Sequence, residues 1–375
     1  ATRTLDLTTD AAGKPLKPKF KRAFEYSDCW VEDSRLTVLT ARDAAQRGAT
    51  ILTRTHVSHA SRENGLWRIE TTGPDGAQTH HARALVNAGG PWVENIIRNV
   101  THINSAEGVR LVRGSHIVTK RLYDHDRCYF FQGSDGRIIF AIPYEQDFTL
   151  IGTTDIDHKG PPGAPVCTPE ERDYLCTFAS QYFAKPVTAD DVVWTYSGVR
   201  PLYNDGASSA TAATRDYVLS LDENGPPLLN VFGGKITTHR RLAESAMAKL
   251  QPHFPAMGPK WTAGVALPGG HFPVNGVGRL TADLRAAHPY LTDYHSGRLI
   301  RAYGTEAFDI LGNASCLADL GQDFGATLTE AELRWLMQHE YAHHAADVVW
   351  RRSKLGLRLT PDQIAALEIW MQEQA

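Results

Sequence analysis

Apolar positions change period several times along this chain. Between Asp33 and Arg47, Leu36, Leu39, Thr40 and Ala44 recur at the spacing of one helical face and Gly48 follows as a stop, which predicts an amphipathic helix. The stretch "ATILTRTHV" then predicts a strand. "HVSHASRENGLWRIETT" predicts a hairpin turning at Asn64-Gly65, because Asn-Gly tolerates the positive φ angles of a two-residue turn. After the polar turn "GPDGAQ", "ARALVNAGGPWV" reads as a short buried strand that breaks at Gly89-Gly90. From about 105 to 195 strands and turns alternate. "RIIFAIP" and "FTLIGTTD", joined by "YEQD", predict antiparallel neighbours.

Three further strands, "TYSGVRPL", "RDYVLSL" and "PLLNVFGGK", lead into a helix over "ITTHRRLAESAMAKL", with Ala243, Ala246, Met247 and Leu250 on one face. Beyond the Pro/Gly-rich "ALPGGHFPVNGVG", residues 277–375 carry helical patterns. A capping box at Thr329–Glu332 predicts a helix running to about Lys354. These shifts predict a mixed α/β architecture of 1–104 and 194–262 as two pieces of one α/β layer, 105–193 as an antiparallel sheet placed to cover a ligand, and 263–375 as a helical cap.

The composition narrows the class. Apolar residues at 42%, charged residues at 22% and a formal charge of −3 over 375 residues describe a globular enzyme-sized chain and argue against an extensive nucleic-acid surface. No window approaches the uninterrupted apolar run of a spanning helix, so any membrane association is expected to be peripheral. Cys29, Cys128, Cys167, Cys176 and Cys316 are scattered and odd in number, the pattern of reduced thiols rather than of a disulfide framework or a zinc ribbon.

Candidate chemistry gathers at strand ends. In "LLNVFGGKITTHRRLAE" an apolar strand stops at Gly233-Gly234 and a helix is expected at once. Glycines there let the backbone approach a ligand, and a helix start favours negative charge by about 0.3–1 kcal/mol. Such a start, with Lys235 beside it, suits the edge of a flavin that becomes anionic on reduction; a plain strand–helix turn is the competing reading. Gly89-Gly90 is a second strand end of the same kind. Arg200, Arg215 and Lys235 are cations next to strands, together suited to a phosphate ester, although each taken singly also reads as a surface or structural ion-pair residue. His116, within "RGSHIV", reads either as a satisfied core histidine or, if an alcohol binds nearby, as the group that takes the hydroxyl proton.

One motif points elsewhere. "HEYAH" at 339–343 has the histidine spacing of helical zinc peptidases. On the predicted helix, however, Glu340 falls among Leu333, Leu336, Met337, Tyr341, His344 and Val348, while His339 and His343 lie toward the opposite flank. The longer zinc signature is broken by Ala346 and Val349, and only Glu368 offers a distant acidic ligand. No metal is expected, and the motif reads as a solvated helix flank.

Taken together, "KRAFEYSDCWVEDSRL", "GATILTRTHV", "LVNAGGPWV", "GVRLVRGSHIV", "IGTTDIDHKG", "WTYSGVRPL", "TRDYVL", "VFGGKITTHRRLAE", "DLGQDFG", "EAELRWLMQHE" and "ADVVWRRSKLGL" follow one another as in the bacterial aerobic FAD-dependent glycerol-3-phosphate dehydrogenases. The resemblance runs from about Leu16 to the end. It implies a FAD-binding domain of the glutathione-reductase/D-amino-acid-oxidase type, an antiparallel substrate domain and a C-terminal helical domain. It also implies oxidation of sn-glycerol 3-phosphate to dihydroxyacetone phosphate, with electrons passing to a membrane quinone at the cytoplasmic face of the inner membrane, and a homodimer.

The resemblance further implies that Arg200, Arg215 and Lys235 are the substrate-phosphate and active-site cations, with His116 beside the reacting carbon. Gly233, Gly234 and Thr237 would form the flavin-side helix start, Gly89 and Gly90 the second flavin turn, and Val57 the segment beside the adenine. That family opens with a G-x-G-x-x-G unit for the pyrophosphate, which these 375 residues do not contain, so the chain is expected to be the C-terminal portion of such an enzyme. A related amine or amino-acid oxidase is the alternative within the flavin class; outside it stand a zinc peptidase and a fragment that is catalytically silent on its own, without the pyrophosphate-binding unit to hold FAD.

Overall fold

The strand Val109–Lys120 is the spine of the larger sheet. In the computed structural model, which describes residues 2–133, 136–204 and 216–374, it pairs along its length with the antiparallel strand Val192–Tyr203. Its other edge is shared: Phe148–Gly152 pairs with His116–Lys120, and Ile156–Asp157 pairs with Val112–Arg113. Between those two pairings the chain leaves the ladder at Thr153–Asp155. Ile138–Tyr144 and Tyr129–Gln132 complete the sheet. "RIIFAIP" and "FTLIG" are antiparallel neighbours, as the pattern predicts. The sheet continues past residue 193 to Tyr203, beyond the boundary expected from composition, because Val192–Tyr203 finds its partner in Val109–Lys120.

Strand alternation gives this sheet two faces. One carries Ile117 into a core with Leu175, Phe178 and Ala179 of the helix Pro169–Tyr182, closed by Phe183 and by Leu5, Leu7, Ala12 and Leu16 near the N-terminus. Each fully buried Leu, Ile or Phe there contributes about 1.5–3 kcal/mol. The other face carries His116.

Three smaller sheets complete this unit, which comprises residues 2–29 and 54–258 among those described; one is the antiparallel pair Arg3–Asp6 and Arg22–Glu25. Leu85–Asn87 and Leu228–Phe232 run parallel, with Val218–Asp222 antiparallel on the far edge of the second. Leu229 packs with Ala246 and Leu250 of the helix His239–Leu250, whereas Ala243 and Met247 of the expected apolar face are exposed. The hairpin His56–Glu63/Leu66–Gly73 turns at Asn64 and Gly65, both at positive φ, and Gly76–Ala82 adds a third strand. Trp67, 1% exposed, anchors that sheet through Nε1 to the carbonyl of Pro227 at 3.0 Å. The strand expected over "ATILTRTHV" begins only at His56. Residues 49–55 are not strand and turn at Arg54, so their β-branched content does not decide their conformation.

The second unit joins 30–53 to 259–374. The helix Asp33–Gln46 is therefore grouped with the C-terminal helices and not with the strands that follow it, as the sequence pattern had placed it. Its Arg35 pairs with Glu340, and its Arg42 reaches Glu306 at 2.7 Å. The apolar core gathers Leu284, Leu299, Tyr303, Leu333, Leu336, Val348 and Leu367.

The helix expected to run from Thr329 to Lys354 stops at His339. Glu340 is fully buried between Arg35 and Arg42, its carbonyl accepts from Arg352 Nε at 2.8 Å, and Tyr341 takes φ 57°. The capping box does not close either, because the Glu332 carboxylate is drawn away to Arg298 at 2.6 Å and the Tyr303 hydroxyl at 2.6 Å. No helix among the described residues is long and apolar enough to cross a membrane.

Candidate active site

The two Gly-Gly turns lie on one edge. Leu85–Asn87 and Leu228–Phe232 are parallel and in register through Asn87 and Asn230, so Gly89-Gly90 and Gly233-Gly234 both follow the carboxyl ends of adjacent strands. That is where open α/β sheets bind ligands. Asn87 Nδ2 donates to Asn230 Oδ1 and to the Val93 carbonyl, each at 3.0 Å, while Asn87 Oδ1 accepts from Gly89 N–H at 3.2 Å. This buried amide pair shapes the first turn. Its trace in the sequence is an asparagine inside each apolar strand, separated from Gly-Gly by one residue in "LVNAGG" and by two in "LLNVFGG".

Gly233 has φ 67°, and a Cβ there would stand 3.1 Å from the Asp216 carbonyl and 3.6 Å from the Pro201 carbonyl. The second turn is therefore wedged beside the end of the strand that carries Arg200. The helix does not start at once: Ile236–Thr238 form a 3-10 turn before His239–Leu250. Gly234, Lys235 and Thr237 are exposed along that approach. Val57 lies on the separate three-stranded sheet, next to a bulge between Val57 and His59. Arg215 falls outside the described residues.

On the open face of the large sheet, His116 lies opposite Tyr196, and the two rings stack with centroids 4.9 Å apart and planes 6° from parallel. Its Nδ1 is enclosed without a partner. Burial, helped by the positive charge of Arg200, pushes the imidazole pKa down to about 4, so the ring is neutral at neutral pH. Gly152 packs directly on it, since a Cβ there would come 2.1 Å from His116 Cδ2.

Arg200 shares this face. Its guanidinium crosses Gly114 to bond Asp155 and, at 3.0 Å, the Thr153 hydroxyl. A Cβ on Gly114 would stand 2.6 Å from Arg200 Nη2, so the crossing requires glycine. Thr153 and Asp155 belong to the segment where the sheet edge leaves its ladder. The sequence contains "TTD" there but no cue that it meets Arg200, because the meeting depends on strand register. His116, Arg200 and the second glycine turn are thus brought into one neighbourhood.

The "HEYAH" residues form no such group. His339 ends its helix and packs against Trp335 with ring centroids 4.2 Å apart and planes tilted by 42°, and the helix break takes His343 off that helix. Glu368 pairs with His344 at 2.7 Å rather than with either motif histidine. No group of three potential metal ligands occurs among the described residues.

The chain is similar to known flavoproteins along its length. Residues 1–240 match the FAD dependent oxidoreductase family, and residues 260–371 match the C-terminal domain of alpha-glycerophosphate oxidase. The chain is 45% identical to the aerobic glycerol-3-phosphate dehydrogenase of Escherichia coli over 96% of its length and 73% of that protein. It is also 45% identical to the D-erythritol 1-phosphate dehydrogenase of Brucella abortus, over 98% of its length and 74% of that protein. A glycerol-3-phosphate dehydrogenase from Bacillus halodurans, solved with FAD, superposes with a TM-score of 0.82 at 25% identity, covering 99% of this chain and 75% of that one.

Fold and site therefore define a flavin-dependent oxidoreductase with an antiparallel substrate sheet and a C-terminal helical domain. Within that class, the chain belongs to the FAD-dependent glycerol-3-phosphate dehydrogenase family. The residues present fit FAD: two glycine turns lie bare at the ends of parallel strands, and the Gly233 position has no room for a side chain.

Proposed function

We propose that this chain oxidises sn-glycerol 3-phosphate at C2 to dihydroxyacetone phosphate and that the electrons leave to a membrane quinone. The reading is supported by the juxtaposition of Arg200 and His116 on one sheet face, in a chain 45% identical over most of its length to a protein named for that activity. When bound, FAD supplies a two-electron acceptor for the hydride released from carbon.

The protein's own residues do the rest. Arg200 offers the phosphate oxygens the guanidinium donors it does not spend on Asp155 and Thr153, and Lys235 stands at the adjacent turn as a second cation. His116 is held flat against Tyr196 and is neutral, so it accepts the hydroxyl proton as the C2 hydride departs. Its enclosed Nδ1 leaves Nε2 as the nitrogen a substrate can approach. An incoming phosphate offsets the Arg200 charge that depresses the imidazole pKa, which raises its basicity when substrate is present. By the family resemblance, Arg215 adds to the phosphate grip and Val57 flanks the adenine.

Turnover by the flavin-loaded enzyme with an artificial acceptor is the test. Activity on glycerol 3-phosphate but not on glycerol or amino acids supports the proposal, and oxidation of an amino acid in its place would overturn it. The equal likeness to a D-erythritol 1-phosphate dehydrogenase favours a second reading, in which the longer polyol phosphate is preferred; the ratio of kcat/KM for the two esters decides. Reduction of a short-chain quinone, with the enzyme sedimenting with lipid vesicles, tests the acceptor and a peripheral membrane location.

A further inference from the structure

Behind the sheet, on the face away from His116, one carboxylate collects an unusual number of donors. Glu171 is the third residue of the helix Pro169–Tyr182 and closes a capping box, with Glu171 N–H donating to Thr168 Oγ1 and Thr168 N–H to Glu171 Oε2 at 3.1 Å. A helix cap needs no more than that. Yet the same carboxylate, in a residue 3% exposed, also accepts from Ser115 Oγ at 2.8 Å and Thr154 Oγ1 at 2.9 Å, and pairs with Arg113 Nη2 at 3.0 Å. Thr154 Oγ1 accepts from Ser115 N–H at 2.9 Å, and Ser115 Oγ lies 2.7 Å from Ser197 Oγ.

These hydroxyls belong to three different segments, and each sits next to residues of the opposite face. Ser115 lies between Gly114 and His116, Thr154 between Thr153 and Asp155, and Ser197 beside Tyr196. Alternation along a strand sends neighbouring side chains to opposite faces, so anchoring one from behind fixes where the next one points. The Thr153–Asp155 segment has no ladder of its own, which makes the rear anchor decisive for it.

We propose that Glu171 is a positioning residue for the oxidation: from the rear of the sheet it holds together, through Ser115, Thr154 and Ser197, the three segments that place His116, Tyr196 and the Thr153/Asp155 pair gripping Arg200. Burial works against the ionised carboxyl, but the bonds from Thr168 N–H, Ser115, Thr154 and Arg113 outweigh it and keep its pKa below the usual range. The charged, acceptor-only form is what three hydroxyl or guanidinium donors require. An amide in its place presents one acceptor oxygen and two unwanted donors.

The inference rests on the glycerol-3-phosphate reading, and the test separates the two. Glu171→Gln in the flavin-loaded enzyme is compared with wild type and with Leu175→Ala, a fully buried position on the same helix that makes none of these bonds. A displacement of reacting groups by about 1 Å costs roughly 100-fold in rate. The expected result is a kcat/KM for glycerol 3-phosphate lowered roughly 10- to 100-fold in Glu171→Gln, carried mainly by kcat, with a shifted acid limb of the kcat pH profile. Leu175→Ala should lose Tm with kcat retained below its melting range. A Glu171→Gln enzyme with unchanged kcat and pH profile, or a Leu175→Ala enzyme that loses kcat equally, overturns the inference while leaving the activity assignment intact. A wild-type enzyme inert toward the ester but active on another alcohol or amine overturns the substrate reading instead.

Discussion

Replacing Arg200 by alanine tests the phosphate grip most directly. Arginine carries five N–H donors, and among the described residues two are spent on Asp155 and Thr153. The remainder can meet an oxyanion as a paired contact, each charge-assisted bond contributing about 1.5–3 kcal/mol. Two such bonds correspond to about 3–6 kcal/mol, or roughly 10²- to 10⁴-fold in binding. The side chain is 38% exposed, so solvent screening places the expected loss near the lower end, about 100-fold. Alanine also removes the guanidinium that faces Asp155, a carboxylate that repels phosphate. Arg200→Ala combined with Asp155→Asn should therefore recover part of the loss, whereas Arg200→Lys, a point charge without the fork, should be intermediate. The assay is steady-state turnover with an artificial acceptor at matched flavin content, judged by KM for glycerol 3-phosphate. His339→Ala, which removes a ring packed at a tilt against Trp335, serves as the control and should leave turnover near wild type. An Arg200→Ala enzyme with wild-type KM, or one matched by His339→Ala, refutes the site.

Three further outcomes are expected. Gly152→Ala should lower kcat at least tenfold with little change in KM, because its Cβ has no room beside a His116 ring already stacked on Tyr196; a kinetically silent variant would mean that the ring moves freely. Glu332→Gln should lower the unfolding free energy in denaturant titrations by about 3–5 kcal/mol, since it leaves Arg298 charged and 8% exposed without its partner; a change below about 1 kcal/mol would contradict a buried pair. His295 is held neutral by burial and by Arg298, against the opposing pull of Glu332 and Asp323, with a pKa of about 4. The unfolded chain binds this proton first, so stability should fall as pH drops from about 6.5 to 4 and flatten below; His295→Gln should show a shallower acid slope of Tm, and an identical slope would exclude the histidine as its source.

Local chemistry was readable wherever neighbours in sequence settle the conformation. Asn64-Gly65 makes its hairpin turn because both residues accept positive φ, and Gly89-Gly90 and Gly233-Gly234 end their strands as the pattern predicts. The helix over Asp33–Gln46 was equally clear from its period, but not its allegiance, since Arg35 and Arg42 serve carboxylates some three hundred residues away. "TEAELRWLMQHEYAHH" shows the limit. Its helical period continues past His339, yet Glu340 is worth more to the fold as the buried partner of Arg35 and Arg42 than as another helical residue, and Glu332 is taken from its cap by Arg298.

The sequence by itself determined the class of fold and, through its resemblance to a known family, the cofactor, because glycine turns, apolar periods and family motifs are properties of short segments. Only the tertiary structure decided that Arg200 reaches Thr153 and Asp155 across Gly114, that Asn87 pairs with Asn230, and that Glu171 gathers two strands and the Thr153–Asp155 segment from behind. Each of those contacts joins segments distant along the chain, and strand register, which no local pattern encodes, sets which residues meet.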